Sequence, residues 1–239
     1  MRRIIAVLGL LGVIAMMVGF ATEPQQAAFS YLTAWAFAMS IAIGALVFLM
    51  IGLASGARWA LPFQPITESI VRTLPVLAVL FVPIAIASGY LYPWTDPSPT
   101  LEPELAAKVA HRAPYLNLVG WTIRAAIFLV GWSVIGEILV RKRERARALA
   151  AAMFPVIALT VTFATIDWLM SLTPQWYSTI FGLLYWSGGF VAAMSAVALV
   201  SRAAPAPSGA IGRMMFAFLI FWGYMEFSQG IIIWIANKP

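Results

Sequence analysis

Four ionisable side chains, Arg124, Glu137, Asp167 and Glu226, fall inside long apolar runs. A charge held in hydrocarbon is expensive, so such residues are paired, face a wet cavity, or carry protons or substrate. At about 1.5 Å per helical residue, Arg124 lies roughly 9 Å into its run and Asp167 roughly 8 Å into the next. The two runs are consecutive and antiparallel, so an Arg124–Asp167 ion pair is geometrically natural. Glu226 is different. It sits near the middle of the last run with no basic residue of this chain at its depth, and a carboxyl in that setting favours its protonated form. Helical spacing puts Trp222, Gly223, Gln229 and Gly230 around it, a small and polar stripe suited to a helix seam or a water-filled cavity. Two readings stay open for Glu226: a neutral acid bonded to another helix, and a proton-carrying site. Glu137 has Arg141 one turn on, the spacing of a local ion pair; Glu68 and Arg72 repeat that spacing. Together Glu137, Glu226 and Asp167 sample three depths, as a proton route would.

The elements that hold these residues are helices. Hydrophobic residues make up 62% of the 239-residue chain and charged ones 10%, against roughly 45–50% and about 25% in soluble domains. Soluble enzymes, nucleic-acid modules and disordered tails are excluded on that basis. Crossing hydrocarbon takes about 20 helical residues. Seven runs qualify, at 4–20, 29–53, 70–91, 118–140, 149–172, 180–200 and 214–236. They are continuously apolar rather than alternating, so they predict helices and not barrel strands. The reading is an all-α integral membrane domain of seven helices over residues 1–239.

Charge sets the expected orientation. With the N-terminus cytoplasmic, eleven of the fifteen Lys and Arg residues fall on the inner side, and Lys108, Arg112 and Lys238 on the outer; this follows the positive-inside rule and leaves residue 239 outside. The sequence Met1-Arg2-Arg3 before an apolar run also resembles a secretory signal; retention as a helix is expected. The basic stretch 141–147 reads as a topology anchor against anionic lipid, with docking to a cytoplasmic partner as the alternative. The longest outer connection, 95–114, carries Asp96, Glu102, Glu104, four prolines and the sole histidine, His111; it reads as a loop over the bundle mouth or toward a partner, with His111 solvated. Pro75 and Pro83 should bend the third span. Gly44 and Gly188-Gly189 permit close helix approach. Trp94, Trp168, Trp176, Tyr90, Tyr92 and Tyr177 read as an outer aromatic belt, with Trp59 at the inner one.

Cysteine is absent and histidine occurs once, so the chain offers no thiolate ligands, no cysteine-held iron–sulfur cluster and no bis-histidine haem site. A retinal Schiff base would need a lysine within the last span, and Lys238 lies beyond it. An independent proton-coupled transporter with a midplane acidic site at Glu226 is the alternative function.

The segment Asp167-Trp-Leu-Met-Ser-Leu-Thr-Pro-Gln-Trp-Tyr-Ser-Thr-Ile-Phe-Gly182 resembles a stretch of the F-type membrane subunit of alternative complex III, the bacterial quinol:cytochrome c oxidoreductase. Tyr92-Pro-Trp94, Tyr115-Leu-Asn117, Ile123-Arg124, Phe221-Trp-Gly-Tyr224 and Phe227-Ser-Gln229 follow in the expected order. The resemblance implies a member of the polysulfide-reductase membrane-subunit superfamily, a two-bundle fold of about ten helices, each of spanning length, of which seven spans are part. It further implies a subunit without its own redox centre in the bacterial inner membrane. Implied partners are a homologous quinol-binding membrane subunit, an iron–sulfur subunit, haem c subunits and a terminal oxidase. Quinone contact and proton translocation are the implied activities. By motif position Asp167 and Arg124 resemble family polar positions, and Glu226 lies in the matching last segment.

Overall fold

Proline decides how the third apolar run folds. The computed structural model describes residues 2–95, 103–174, 176–201 and 208–236. Before that run come α1 (Arg2–Thr22) and α2 (Pro24–Ser55). Pro24 occupies the first turn of α2, where its missing N–H costs nothing. The helix ends on Gly56, whose φ of +66° is the left-handed cap that glycine adopts without strain. A 3-10 turn (Arg58–Phe63) then leads into four short helices: α3 (Gln64–Val71), α4 (Leu74–Val79), α5 (Val82–Ile86) and α6 (Ser88–Leu91). Pro65, Pro75 and Pro83 each stand in the first turn of a new piece. The two bends expected at Pro75 and Pro83 are therefore full interruptions of the hydrogen-bond ladder.

The interruption before Pro83 leaves two carbonyls behind, and α2 supplies the donors. The Phe81 N–H turns to Ala78 O (3.3 Å) and the Ile84 N–H to Phe81 O (3.0 Å), three residues back instead of four. Leu77 O and Leu80 O are left over. Trp35 Nε1 donates to the first at 2.8 Å, and Tyr31 Oη to the second at 2.7 Å. Tyr31 and Trp35 are one helical turn apart on α2, as the carbonyls nearly are on their own run.

The remaining helices are α7 (Pro103–Arg112), α8 (Leu118–Arg141), α9 (Arg143–Trp168), α10 (Phe181–Val200) and α11 (Ser208–Ile235). Helix α7 lies within the connection read as a loop; Asp96, Pro97, Pro99 and Glu102 of that connection are outside the described residues, as is Lys238. Asn117 caps α8, its side-chain oxygen accepting from the Gly120 N–H at 2.8 Å.

Among the described residues, six helical stretches are long and apolar enough to cross a membrane: Pro24–Ser55, Arg58–Ile86, Leu118–Arg141, Ala146–Leu172, Phe181–Val200 and Gly209–Ile235. The architecture is all-helical among the described residues and transmembrane in character. The described apolar part of α1, Gly9–Thr22, is shorter.

Helix α2 is the axis of the bundle, packed against α1, the broken run, α9 and α10. Its crossing with α10 is backbone to backbone. A Cβ on Gly44 would overlap the Gly189 carbonyl and lie 2.9 Å from Phe190 Cα, and one on Gly189 would lie 2.5 Å from Ser40 O. The close approach expected of Gly44 and Gly189 is thus a contact that admits no side chain; Gly188 instead faces the Trp222 indole of α11. At the far side of the bundle α11 packs chiefly on α10, and none of its most apolar stretch is buried.

Candidate functional site

Asp167 stands one residue before the end of α9, and the last turn of that helix is tied down from three sides. Trp121 Nε1 of α8 donates to Asp167 O at 2.9 Å, Ser171 Oγ donates to the same oxygen at 2.6 Å, and Tyr92 Oη donates to Trp168 O at 3.0 Å. These are carbonyls that a helix end leaves unsatisfied, and in a water-poor interior they need such donors. With the backbone fixed, the Asp167 carboxylate, fully buried, points at α8.

Arg124 meets it with two bonds. Its Nε is 2.7 Å from Oδ2 and its Nη2 3.1 Å from Oδ1, while Nη1 donates to Tyr115 O at 3.0 Å. The guanidinium carbon also lies 3.9 Å from the centre of the Tyr115 ring, a cation–π contact. The fork geometry satisfies both carboxylate oxygens and fixes the planes of both groups. Burial pushes the Tyr115 phenol up to about 12, helped by the Asp167 charge and a hydrogen bond to that carboxylate, against the pull of Arg124.

Above the pair, at the Asp167 end of the bundle, lies a cavity of about 320 Å³. His111, Arg112 and Tyr177 bring donors to its wall, which Tyr115, Ser171 and Met170 also line. This size is at the lower edge of small-molecule sites, roughly 300–1,000 Å³.

Of the residues singled out by sequence, Arg124 and Asp167 come together as expected. Glu137 pairs with Arg141 one turn on, at the opposite end of α8. Glu68 turns inward, 7% exposed, and accepts from Gln64 Nε2 at 2.9 Å, whereas Arg72, one turn on, faces outward past the end of α3. Glu226 is exposed on the flank of α11, with no ion pair or hydrogen bond among the described residues. Its companions differ from the expected set, because Trp222 is turned toward Gly188. The outward stripe is Gly212, Phe216, Leu219, Gly223, Glu226 and Gly230, at alternating four- and three-residue steps. A Cβ on any of its three glycines would meet nothing within 4 Å.

The aromatic belt is half core. Tyr92, Trp94 and Trp168 are buried, whereas Tyr90 and Tyr177 are exposed. The buried rings join Trp35, Phe81, Trp121 and Trp132 in one cluster with centroids 5.0–6.2 Å apart. The indole N–H groups of Trp94 and Trp168 have no acceptor among the described residues, so ring packing holds them. Sequence reasoning missed the roles of Trp121, Ser171 and Tyr115. Two of them had a readable signal: Trp121 lies one turn from Arg124, and Ser171 one turn past Asp167.

No family model matches the chain, and no curated protein matches it.

Proposed function

We propose that the chain is a membrane subunit of a multi-subunit respiratory complex that oxidises quinol and passes electrons toward cytochrome c or an oxidase. Glu226 carries this reading. A carboxyl exposed at mid-helix, on a stripe with the a/d spacing of a helix–helix seam, is satisfied by a neighbouring helix bearing a donor or cation. The motif from Asp167 to Gly182 and the ordered shorter matches support the same assignment. In this reading α1 is a seventh span, the N-terminus is cytoplasmic, the bilayer is the bacterial inner membrane, and the seven spans are part of a two-bundle fold.

The chain's role is scaffold first, with quinone contact and proton translocation resting on separate residues. The cavity above Arg124 and Asp167 suits a quinone ring in size and chemistry: Tyr177, His111 and Arg112 offer donors to ring oxygens, and Leu116, Ile166 and Met170 offer an apolar wall. A quinone there would supply two-electron, two-proton redox chemistry. The residues themselves bind and orient the ring, and the Arg124–Asp167 pair holds Tyr115 in place from below. Glu226, Asp167 and Glu137 are the proton-carrying candidates, with partner side chains or waters between them.

Gentle solubilisation of membranes carrying a tagged chain tests the assignment. Co-isolation of a second membrane subunit with iron–sulfur and haem c proteins, read by electron paramagnetic resonance and visible absorption, is the expected result. A solitary chain that moves protons on its own would replace it with the transporter reading. In the assembled complex Glu226→Gln should lower proton translocation; unchanged pumping removes Glu226 from the route.

A further inference from the structure

The left-handed cap at Gly56 sends the chain back along α2, and the return leaves a groove. The 3-10 turn Arg58–Phe63 runs beside the last turns of α2 closely enough that a Cβ on Gly52 would lie 3.1 Å from Ala60 Cβ. Between them Phe48, Leu49, Leu53, Ala57 and Leu61 line an apolar groove with a cavity of about 40 Å³. Gln64 and Thr67 close its inner wall. Gln64 gives an amide N–H to Glu68, and Thr67 gives its hydroxyl to Phe63 O, so neither presents a strong unpaired donor.

Two cations flank Gly56 and Ala57, where the chain leaves α2 beside the groove. Arg58 follows Ala57 directly and is exposed. Arg147 reaches over from α9: its Nε donates to Ala54 O at 3.3 Å, and its guanidinium atoms lie 3.7–4.0 Å from where a Gly56 Cβ would be. One of its five N–H donors is used in that bond. Neither arginine has an ion pair among the described residues, in contrast to Arg141, which is committed to Glu137.

We infer that this groove seats one anionic phospholipid, its acyl chain along the Leu53–Ala57–Leu61 wall and its phosphate at Arg58 and Arg147. Apolar walls take a chain of methylenes, and arginine takes a phosphate through paired N–H bonds. Basic clefts between helices at a membrane end bind anionic lipids on the same grounds. A zwitterionic lipid brings its own ammonium and gains less from two arginines. An isoprenoid quinone could use the apolar wall, but it has no anion for the cations to hold.

Native mass spectrometry of the purified chain, released from nanodiscs of phosphatidylglycerol or phosphatidylcholine, tests the inference. The wild type should keep one phosphatidylglycerol and shed phosphatidylcholine. The double variant Arg58→Gln/Arg147→Gln should weaken phosphatidylglycerol retention about 30-fold, the worth of two such cations at an anionic surface. Ala57→Leu, which fills the groove, should also weaken it, and Lys108→Gln on α7 should leave it unchanged. Equal retention of the two lipids, an equal loss in Lys108→Gln, or displacement of the lipid by an isoprenoid benzoquinone would overturn the site. A photoreactive phosphatidylglycerol added to the wild type reads the same question without any variant. Adducts concentrated on residues 48–67 and on Arg147 support the site, and adducts spread evenly over the helices overturn it.

Discussion

Trp35 donates its indole N–H to the carbonyl oxygen of Leu77, 2.8 Å away and on a different membrane run. The carbonyl is available because Phe81 has turned back to Ala78, two residues before the break at Pro83. A side chain of one helix thus replaces a main-chain bond of another.

Trp35→Phe keeps most of the ring and removes the donor. A buried carbonyl left unsatisfied costs about 1–3 kcal/mol, and the expected loss is about 2 kcal/mol. Tyr31→Phe strips Leu80 of its donor at a more exposed position and should cost about 1 kcal/mol. Chemical denaturation in micelles measures both. No loss in either variant would mean that the broken run satisfies these carbonyls itself.

Removing one member of the Arg124–Asp167 pair should be far worse than removing both. Asp167→Asn leaves a largely buried guanidinium without its counter-charge, with an expected loss of about 3 kcal/mol. Arg124→Met/Asp167→Leu, which replaces the pair by apolar groups, should recover most of it. Comparing thermal unfolding midpoints of the three proteins decides this. A double variant as unstable as Asp167→Asn would show that the charges do more than balance each other.

Gly189→Ala should disrupt the α2–α10 crossing, since its Cβ would meet Ser40 O, a backbone atom, at 2.5 Å. Overpacking typically costs about 1–3 kcal/mol, and the upper end applies where the obstacle is main chain. Gly223→Ala, with open space around it, should leave the isolated chain as stable as the wild type. It should interfere only with assembly, and co-isolation yields separate the two effects.

The Tyr115 phenol gives a pH signature. In the unfolded chain it ionises near 10.0, and in the folded protein at about 12. The folded state therefore holds the proton longer, so this contribution to stability is complete below pH 10.0 and is lost as pH rises toward 12. Ultraviolet difference titration should show one tyrosine ionising at about 12 that disappears in Tyr115→Phe. Ionisation at the ordinary value would mean that the ring does not lie over Arg124 beside Asp167.

Hydropathy located most of the helices well because continuous apolar runs of spanning length have few other folds open to them. Depth counting brought Arg124 to Asp167 for a related reason: both residues sit near the same ends of adjacent antiparallel runs. The proline-broken run was only partly legible. Pro75 and Pro83 announce a disturbance, but whether it is a bend or an interruption depends on donors such as Trp35 and Tyr31, which lie more than 40 residues away in sequence. The burial of Tyr92, Trp94 and Trp168 was hidden likewise, since an aromatic residue near a helix end reads the same in a lipid belt and in a core. Glu226 shows the limit from the other side: its depth could be counted along α11, while the direction in which it points depends on how α11 rolls against α10.

The segmented run has a consequence for how the chain is made. A transmembrane helix that satisfies its own backbone can enter the bilayer alone; this one leaves carbonyls for Tyr31 and Trp35 to fill. Those donors are synthesised first, on α2. The run from Arg58 to Leu91 is then best released into lipid with α2 still beside it, as a pair. Its place after α2 in the chain is an order of assembly as well as an order of sequence.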